Sequence, residues 1–173
     1  MLGGVIEILE NMKVKNIIIS KQYEENYCLK KVIQICKEKN INIIIIKAGD
    51  VLKIDKYLKF RILWPDEEYK IEENQMNNNS IVARLECFNF KMLFTGDIEK
   101  IAEETLNEFN LNNLLESTVL KVSHHGSKTS TIEKFLIKVN PKLALIGVGK
   151  DNKFGHPNDE VLERLQKYRN KSI

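Results

Sequence analysis

The sequence predicts a mixed α/β domain with strands in its core and helices outside. Three observations carry that expectation. Short β-branched runs alternate with stretches of helical periodicity along the chain. No internal repeat and no linker rich in Gly, Ser or Pro divides it. Its 173 residues suit one domain, residues 1–173, which at this size buries roughly 70% of its unfolded-chain surface.

The elements follow in order. "GGVIEILENM" (3–12) places Val5, Ile8, Leu9 and Met12 at helical spacing. "VKNIIIS" (14–20) is a β-branched run and reads as a buried strand. Residues 24–39 return to helix, with Cys28, Leu29, Val32, Ile33, Ile35 and Cys36 as the apolar stripe. "INIIIIKAG" (41–49) is a second buried strand. Helix, strand, helix, strand favours parallel pairing under a layer of helices. "VLKIDKYLKFRILWP" (51–65) gives two short strands, and the Asn-rich, acidic stretch 66–79 a loop. "SIVARLECF" and "KMLFTGD" form a hairpin through Asn89. A helix over 98–110, the strand "TVLKVS", a helix over 131–139 stopped by Asn140-Pro141, and the strand "KLALIGVG" follow. Asn158 is placed to cap a final helix reaching about Arg169.

Composition narrows the function classes only slightly. Hydrophobic residues are 43% and charged residues 29%, as in ordinary globular chains, and the net charge of +3 permits an anionic substrate without demanding one. Cys28, Cys36 and Cys87 form no C-x-x-C pair and read as small core residues rather than ligands or disulfides. The longest apolar run, "INIIIIKA", is too short to span a bilayer, and no signal-peptide pattern opens the chain. The expectation for the isolated chain is a soluble, cytoplasmic protein.

Chemistry concentrates where strands end. "KMLFTGD" runs into Asp97 and "VLKVS" into His124 and His125, while the loop after "LALIGVG" carries His156. Loops leaving strand ends converge on one rim of a sheet, where rigid geometry meets solvent. Gly96 and Gly126 would let the chain turn sharply there. A carboxylate with one or two imidazoles suits Zn or Mn, the metals of hydrolytic sites. Each segment also has a structural reading. "TGD" is commonly a turn whose Asp accepts backbone N–H bonds. "GHP" is commonly a plain loop, and Ser127, Lys128, Thr129 and Ser130 suit a helix cap as well as a phosphate. Two adjacent imidazoles at a strand end have no evident packing purpose.

"NNNSIVARL", "FTGDIEKIAEETL" and "VLKVSHHGSKTSTIEKFLIKVNPKLALIGVGKDNKFGHPNDEVLERL" together resemble the metallo-β-lactamase-like domain of the ComEC competence proteins. The match is dense over residues 76–169 and weaker over 1–65. The resemblance implies an αββα sandwich in a family of membrane proteins of DNA uptake. It also implies a metal-dependent nuclease acting on incoming, single-stranded DNA. Asp97 and His124 would be metal ligands, with Zn or Mn as the cofactor, and His125 the catalytic imidazole. Ser127, Lys128, His156 and Asn79 would contact substrate.

The family's H-x-D-x-D-H motif precedes a Gly-Gly helix start. Here Met1 stands at the position of its last His, with Leu2-Gly3-Gly4 following. The expectation is therefore an incomplete sandwich, a single partial domain lacking that loop and the first strands. It would hold metal weakly, since structural sites gain about 10–16 kcal/mol from a full ligand set, and would expose a strand edge prone to association. The rival readings are a non-catalytic remnant binding nucleic acid or a protein partner, and a metal-free hydrolase using Ser127 with a His. The second has no G-x-S-x-G elbow to support it.

Overall fold

The computed structural model describes residues 3–22, 26–109 and 113–171. The expectations for Met1, Leu2, residues 24–25 and Asn110 lie outside these. Two sheets and two sets of helices stack as four layers. The outer layer holds α1 (Gly3–Asn11) and α2 (Tyr27–Glu38), and beneath it β1 (Asn16–Ser20) and β2 (Asn42–Ile46) pair in parallel. The second sheet has six strands in sequence order: β3 (Val51–Lys53), β4 (Leu58–Trp64), β5 (Val82–Cys87), β6 (Phe90–Phe94), β7 (Val119–Lys121) and β8 (Leu143–Leu145). Its first three pairings are antiparallel and its last two parallel. The other outer layer holds α4 (Lys100–Glu108), α5 (Glu133–Val139) and α6 (Asp159–Lys171), and a single turn, α3 (Gln75–Asn78), lies in the long connection before β5.

Alternation along the strands builds these layers. On β2, Ile43 joins Leu9, Val32, Ile35 and Cys36 under the first helices, while Ile44 and Ile46 turn to Ile62, Ala83 and Phe60 between the sheets. On the far side, Trp64, Val82, Leu93 and Leu120 of the large sheet meet Ala102, Leu106, Phe135 and Leu136. The sheet therefore has apolar groups on both faces, as a central layer requires. This is the αββα arrangement the sequence resemblance implies.

Differences from expectation are local. The 66–79 stretch is a loop except for α3, whose four residues are too few to leave a helical period. The last strand is only Leu143–Leu145. Asn158 sits before α6 as expected, but its Oδ1 accepts from the Lys128 backbone N–H at 2.8 Å and so fastens a neighbouring loop. No helix among the described residues is long and apolar enough to cross a membrane.

Candidate functional site

The loops leaving β6 and β7 are stitched together at one rim of the large sheet. Thr95 Oγ1 donates to the Lys121 carbonyl at 2.6 Å, and the His124 N–H donates to the Gly96 carbonyl at 3.1 Å. The Lys100 N–H donates to the Thr129 carbonyl at 2.8 Å. Gly96 has φ +56°, and a Cβ there would lie 2.7 Å from Ser80 Cβ; at Gly126, φ is +81° and the clash would be 2.7 Å from Pro157 Cβ. Both glycines are required, by conformation and by space.

His124 and His125 both adopt left-handed backbone, φ +45° and +55°. Consecutive residues on such a turn splay their side chains, and the two rings take different partners. His125 Nε2 lies 3.3 Å from Asp97 Oδ1, and its Nδ1 meets the Gly147 carbonyl. His124 Nδ1 lies 3.2 Å from Glu99 Oε1, in ion-pair range but out of line for a hydrogen bond. The His124 ring stands edge-on to His156, with centroids 5.8 Å apart. The buried Nδ1 atoms of His124 and His156 both lack a hydrogen-bond partner.

These residues fall into two couples, Asp97 with His125 and His124 with His156, and the pairing differs from the expected one. Asp97 is the neighbour of His125, and the carboxylate beside His124 is Glu99, which the sequence reading had not singled out. Among the described residues, no group of three or more His, Cys, Asp or Glu is placed to hold a metal ion. These side chains by themselves do not fit a divalent cation.

Two of the expected substrate contacts are engaged within the fold. Asn79 is buried; its Nδ2 donates to the Ile71 carbonyl at 2.7 Å and the Gln75 carbonyl at 2.9 Å, and its Oδ1 accepts from the Ile71 N–H at 3.1 Å. Ser127 is nearly buried and shares a 3.0 Å hydrogen bond with Thr129 Oγ1. Lys128 is exposed. It borders a cavity of about 280 Å³ with Glu73, Asn74, Glu99 and Lys100.

Three groups that shape the site escaped the sequence reading. Glu99 accepts from Asn74 Nδ2 at 2.7 Å while facing His124. Glu103 is wholly buried and accepts from Ser123 Oγ at 2.9 Å, the Thr131 N–H at 2.7 Å and the Ile132 N–H at 2.8 Å. It therefore clamps both flanks of the histidine loop. Burial pushes its carboxyl up to about 7, against those three donors and the Arg164 charge. Lys121, half-buried on β7, is held below the ordinary lysine range by desolvation, with the Asp97 charge opposing. The available signal was the i, i+4 pair Glu99/Glu103 beside the apolar stripe of "DIEKIAEETL".

The chain has relatives among competence proteins. It is 37% identical over 167 residues to ComE operon protein 3 of Bacillus subtilis, covering 96% of this chain and 21% of that protein. It is 36% identical over 112 residues to recombination protein 2 of Haemophilus influenzae, covering 65% of this chain and 13% of that one. Competence protein ComA of Neisseria gonorrhoeae is 35% identical over 108 residues, covering 62% and 15%. The chain thus spans about a fifth or less of the length of these relatives. A solved structure from Parabacteroides distasonis, assigned as a metal-dependent hydrolase, superposes with TM-score 0.52 at 14% identity, covering 93% of this chain and 76% of that one. That likeness is one of fold. No family model matches the chain.

Proposed function

This chain is a metallo-β-lactamase-like domain of the ComEC type, and from that premise we propose that it serves phosphodiester hydrolysis of DNA during competence-related uptake, its own residues supplying part of the centre. The observation that carries the reading is the junction of Asp97 and His125 at 3.3 Å, on two strand-end loops tied by the Gly96–His124 bond.

The geometry supports the following division of labour within this proposal. His125, held through Nδ1 by the Gly147 carbonyl, is the group that would use Nε2, which now faces Asp97 Oδ1 at 3.3 Å, to take a proton from the attacking water or give one to the leaving oxygen of the phosphodiester. Lys128, exposed beside it in sequence, would neutralise phosphate charge, and His156 would line the approach next to His124. The Parabacteroides neighbour is described as a metal-dependent hydrolase. A divalent metal, Zn or Mn, is our inference for a complete centre, and among the described residues no group of three or more His, Cys, Asp or Glu is placed to hold one. The H-x-D-x-D-H pattern is absent from the sequence, whose three histidines are His124, His125 and His156.

The test is metal content and cleavage of a labelled single-stranded oligonucleotide by the 173-residue chain, with and without added Mn or Zn. We expect little retained metal and slow or no cleavage. Cleavage should appear when a polypeptide bearing the missing acidic and imidazole groups is added, and should be lost in Asp97→Asn and His125→Asn. Near-stoichiometric metal with EDTA-sensitive cleavage by this chain alone would overturn the partial-centre reading. Cleavage indifferent to both substitutions would overturn the assigned roles.

The lack of a three-ligand group among the described residues favours a second reading, a module that binds nucleic acid without cutting it. Oligonucleotide binding with no hydrolysis under any of these conditions would select it.

A further inference from the structure

At the end of the large sheet opposite the histidines, strand register assembles a cationic row. Lys53 pairs with Lys59, Lys59 with Glu86, and Glu86 with Lys91, so four strands place these side chains on one face. The next row puts Arg61 beside Arg84. One carboxylate organises the array: Glu86 takes Arg61 Nε at 2.8 Å, Arg84 Nη2 at 2.5 Å and Lys59 Nζ at 3.0 Å. Five cations and one anion leave a surplus of positive charge. Partial burial raises the Glu86 carboxyl, but the hydrogen bonds and charge of Arg84, Lys59 and Arg61 outweigh it and hold the group at about 2. The row crosses four strands, about 14 Å at the usual strand spacing.

Two aromatic rings stand at the hairpin tips beside this row. Tyr57, between β3 and β4, is 51% exposed, and Phe88, between β5 and β6, is 76% exposed. Their centroids are 4.8 Å apart and their planes differ by 31°. Lys56 Nζ sits 4.6 Å from the Tyr57 ring centre. Phe88 has φ +51°. A hairpin turn at that conformation favours Gly or Asn, and a bulky exposed aromatic is both strained and poorly solvated there. The contact with Tyr57 covers part of the Phe88 ring, yet 76% of the residue stays exposed.

We propose that this face binds single-stranded nucleic acid, with an unpaired base stacking on the exposed ring of Phe88, which Tyr57 backs, and the phosphate backbone following Lys53, Lys59, Arg61 and Lys91. A largely exposed aromatic ring beside a basic track, here Phe88, is an arrangement that captures unpaired strands, since every base has a π-face while a duplex hides it. The surface lies more than about 10 Å along β6 from the Asp97 loop, so it holds a strand apart from the hydrolytic rim. The class of partner is shared with the proposed function; the residues are separate.

Binding of a short fluorescein-labelled single strand to the 173-residue chain, followed by anisotropy over a salt series, tests it. Phe88→Asn should weaken binding about tenfold without lowering the melting temperature, because Asn suits the left-handed turn. Lys53→Ala with Lys91→Ala should flatten the salt dependence by about 0.7 per lysine. Lys134→Ala, on α5, should change nothing. Absence of binding at low salt, equal affinity for duplex, or affinity indifferent to Phe88→Asn and the lysine pair would each overturn the proposal. If Asp97→Asn and His125→Asn abolish binding while the patch variants do not, this surface is wrong and the rim reading survives. If the patch variants behave as expected and no cleavage is ever found, the surface stands and the hydrolytic reading falls.

Discussion

Ser123 donates its hydroxyl proton to the buried carboxylate of Glu103 at 2.9 Å, one residue before the paired histidines. The same carboxylate receives the backbone N–H groups of Thr131 and Ile132. A single side chain from α4 thus fixes where the histidine loop enters and leaves.

Stability should consequently fall as pH rises. Burial lifts Glu103 to about 7 in the folded chain, above the unfolded value of about 4.3. Between those values the folded state keeps a proton the unfolded state has released, so rising pH favours unfolding until the carboxyl is ionised in both. Urea midpoints at about pH 5 and about pH 8 should show the decline. Glu103→Gln should remove most of it. It should also cost about 1–3 kcal/mol at the lower pH, because its amide N–H₂ must face the Ile132 N–H or the other two donors. An unchanged slope in the variant would assign the pH dependence elsewhere.

Gly126→Ala should destabilise by about 2 kcal/mol or more. The new methyl would meet Pro157 Cβ at 2.7 Å in a backbone conformation that already disfavours alanine. The Asn158 N–H, which donates to the Gly126 carbonyl at 2.9 Å, would shift with it and carry His156 away from His124. Altered chemical shifts at both imidazoles would report this; unperturbed rings would contradict it.

Asn79→Ala should cost about 2 kcal/mol by leaving the Ile71 N–H and carbonyl unpaired in the interior. Amide exchange should quicken over residues 71–79 and remain slow in β6 and β7. An effect confined to substrate affinity, with native stability, would instead return Asn79 to a binding role.

The small parallel sheet should associate. Among the described residues β1 and β2 pair only with each other, and Ile18 and Ile45 remain 40% and 55% exposed. Two strands in isolation are marginal, and open parallel edges invite another strand. Light scattering should show a concentration-dependent rise in mass that Ile45→Lys suppresses; a constant monomer would refute it.

The layered fold was legible because each layer writes its own period. The runs "NIIIS" and "NIIII" were legible as strands, but not as the buried strands expected. Ile17 and Ile43 pack under the helices and Ile44 and Ile46 against the large sheet, while Ile18 and Ile45 stay exposed, because this sheet has only two strands among the described residues. Leu29, Val32, Ile35 and Cys36 repeat at helical spacing because α2 buries one side. The meeting of Asp97 with one of the paired histidines, His125, was legible because strand ends share a rim. Which carboxylate meets which ring was not, since that depends on two left-handed residues, and linear spacing does not specify φ. Glu103 was hidden for a related reason. A carboxylate on a helix reads as solvent-facing until tertiary structure supplies three donors to hold it.

The backbone at residues 124 and 125 also dictates how imidazole chemistry here should be interrogated. Saturation libraries at these codons will be skewed toward Asn and Gly, with Val, Ile and Thr depleted by sterics before any catalytic selection acts. Alanine scanning would mix conformational damage with lost function. Asparagine, which tolerates this conformation, is the replacement that deletes the ring and spares the loop.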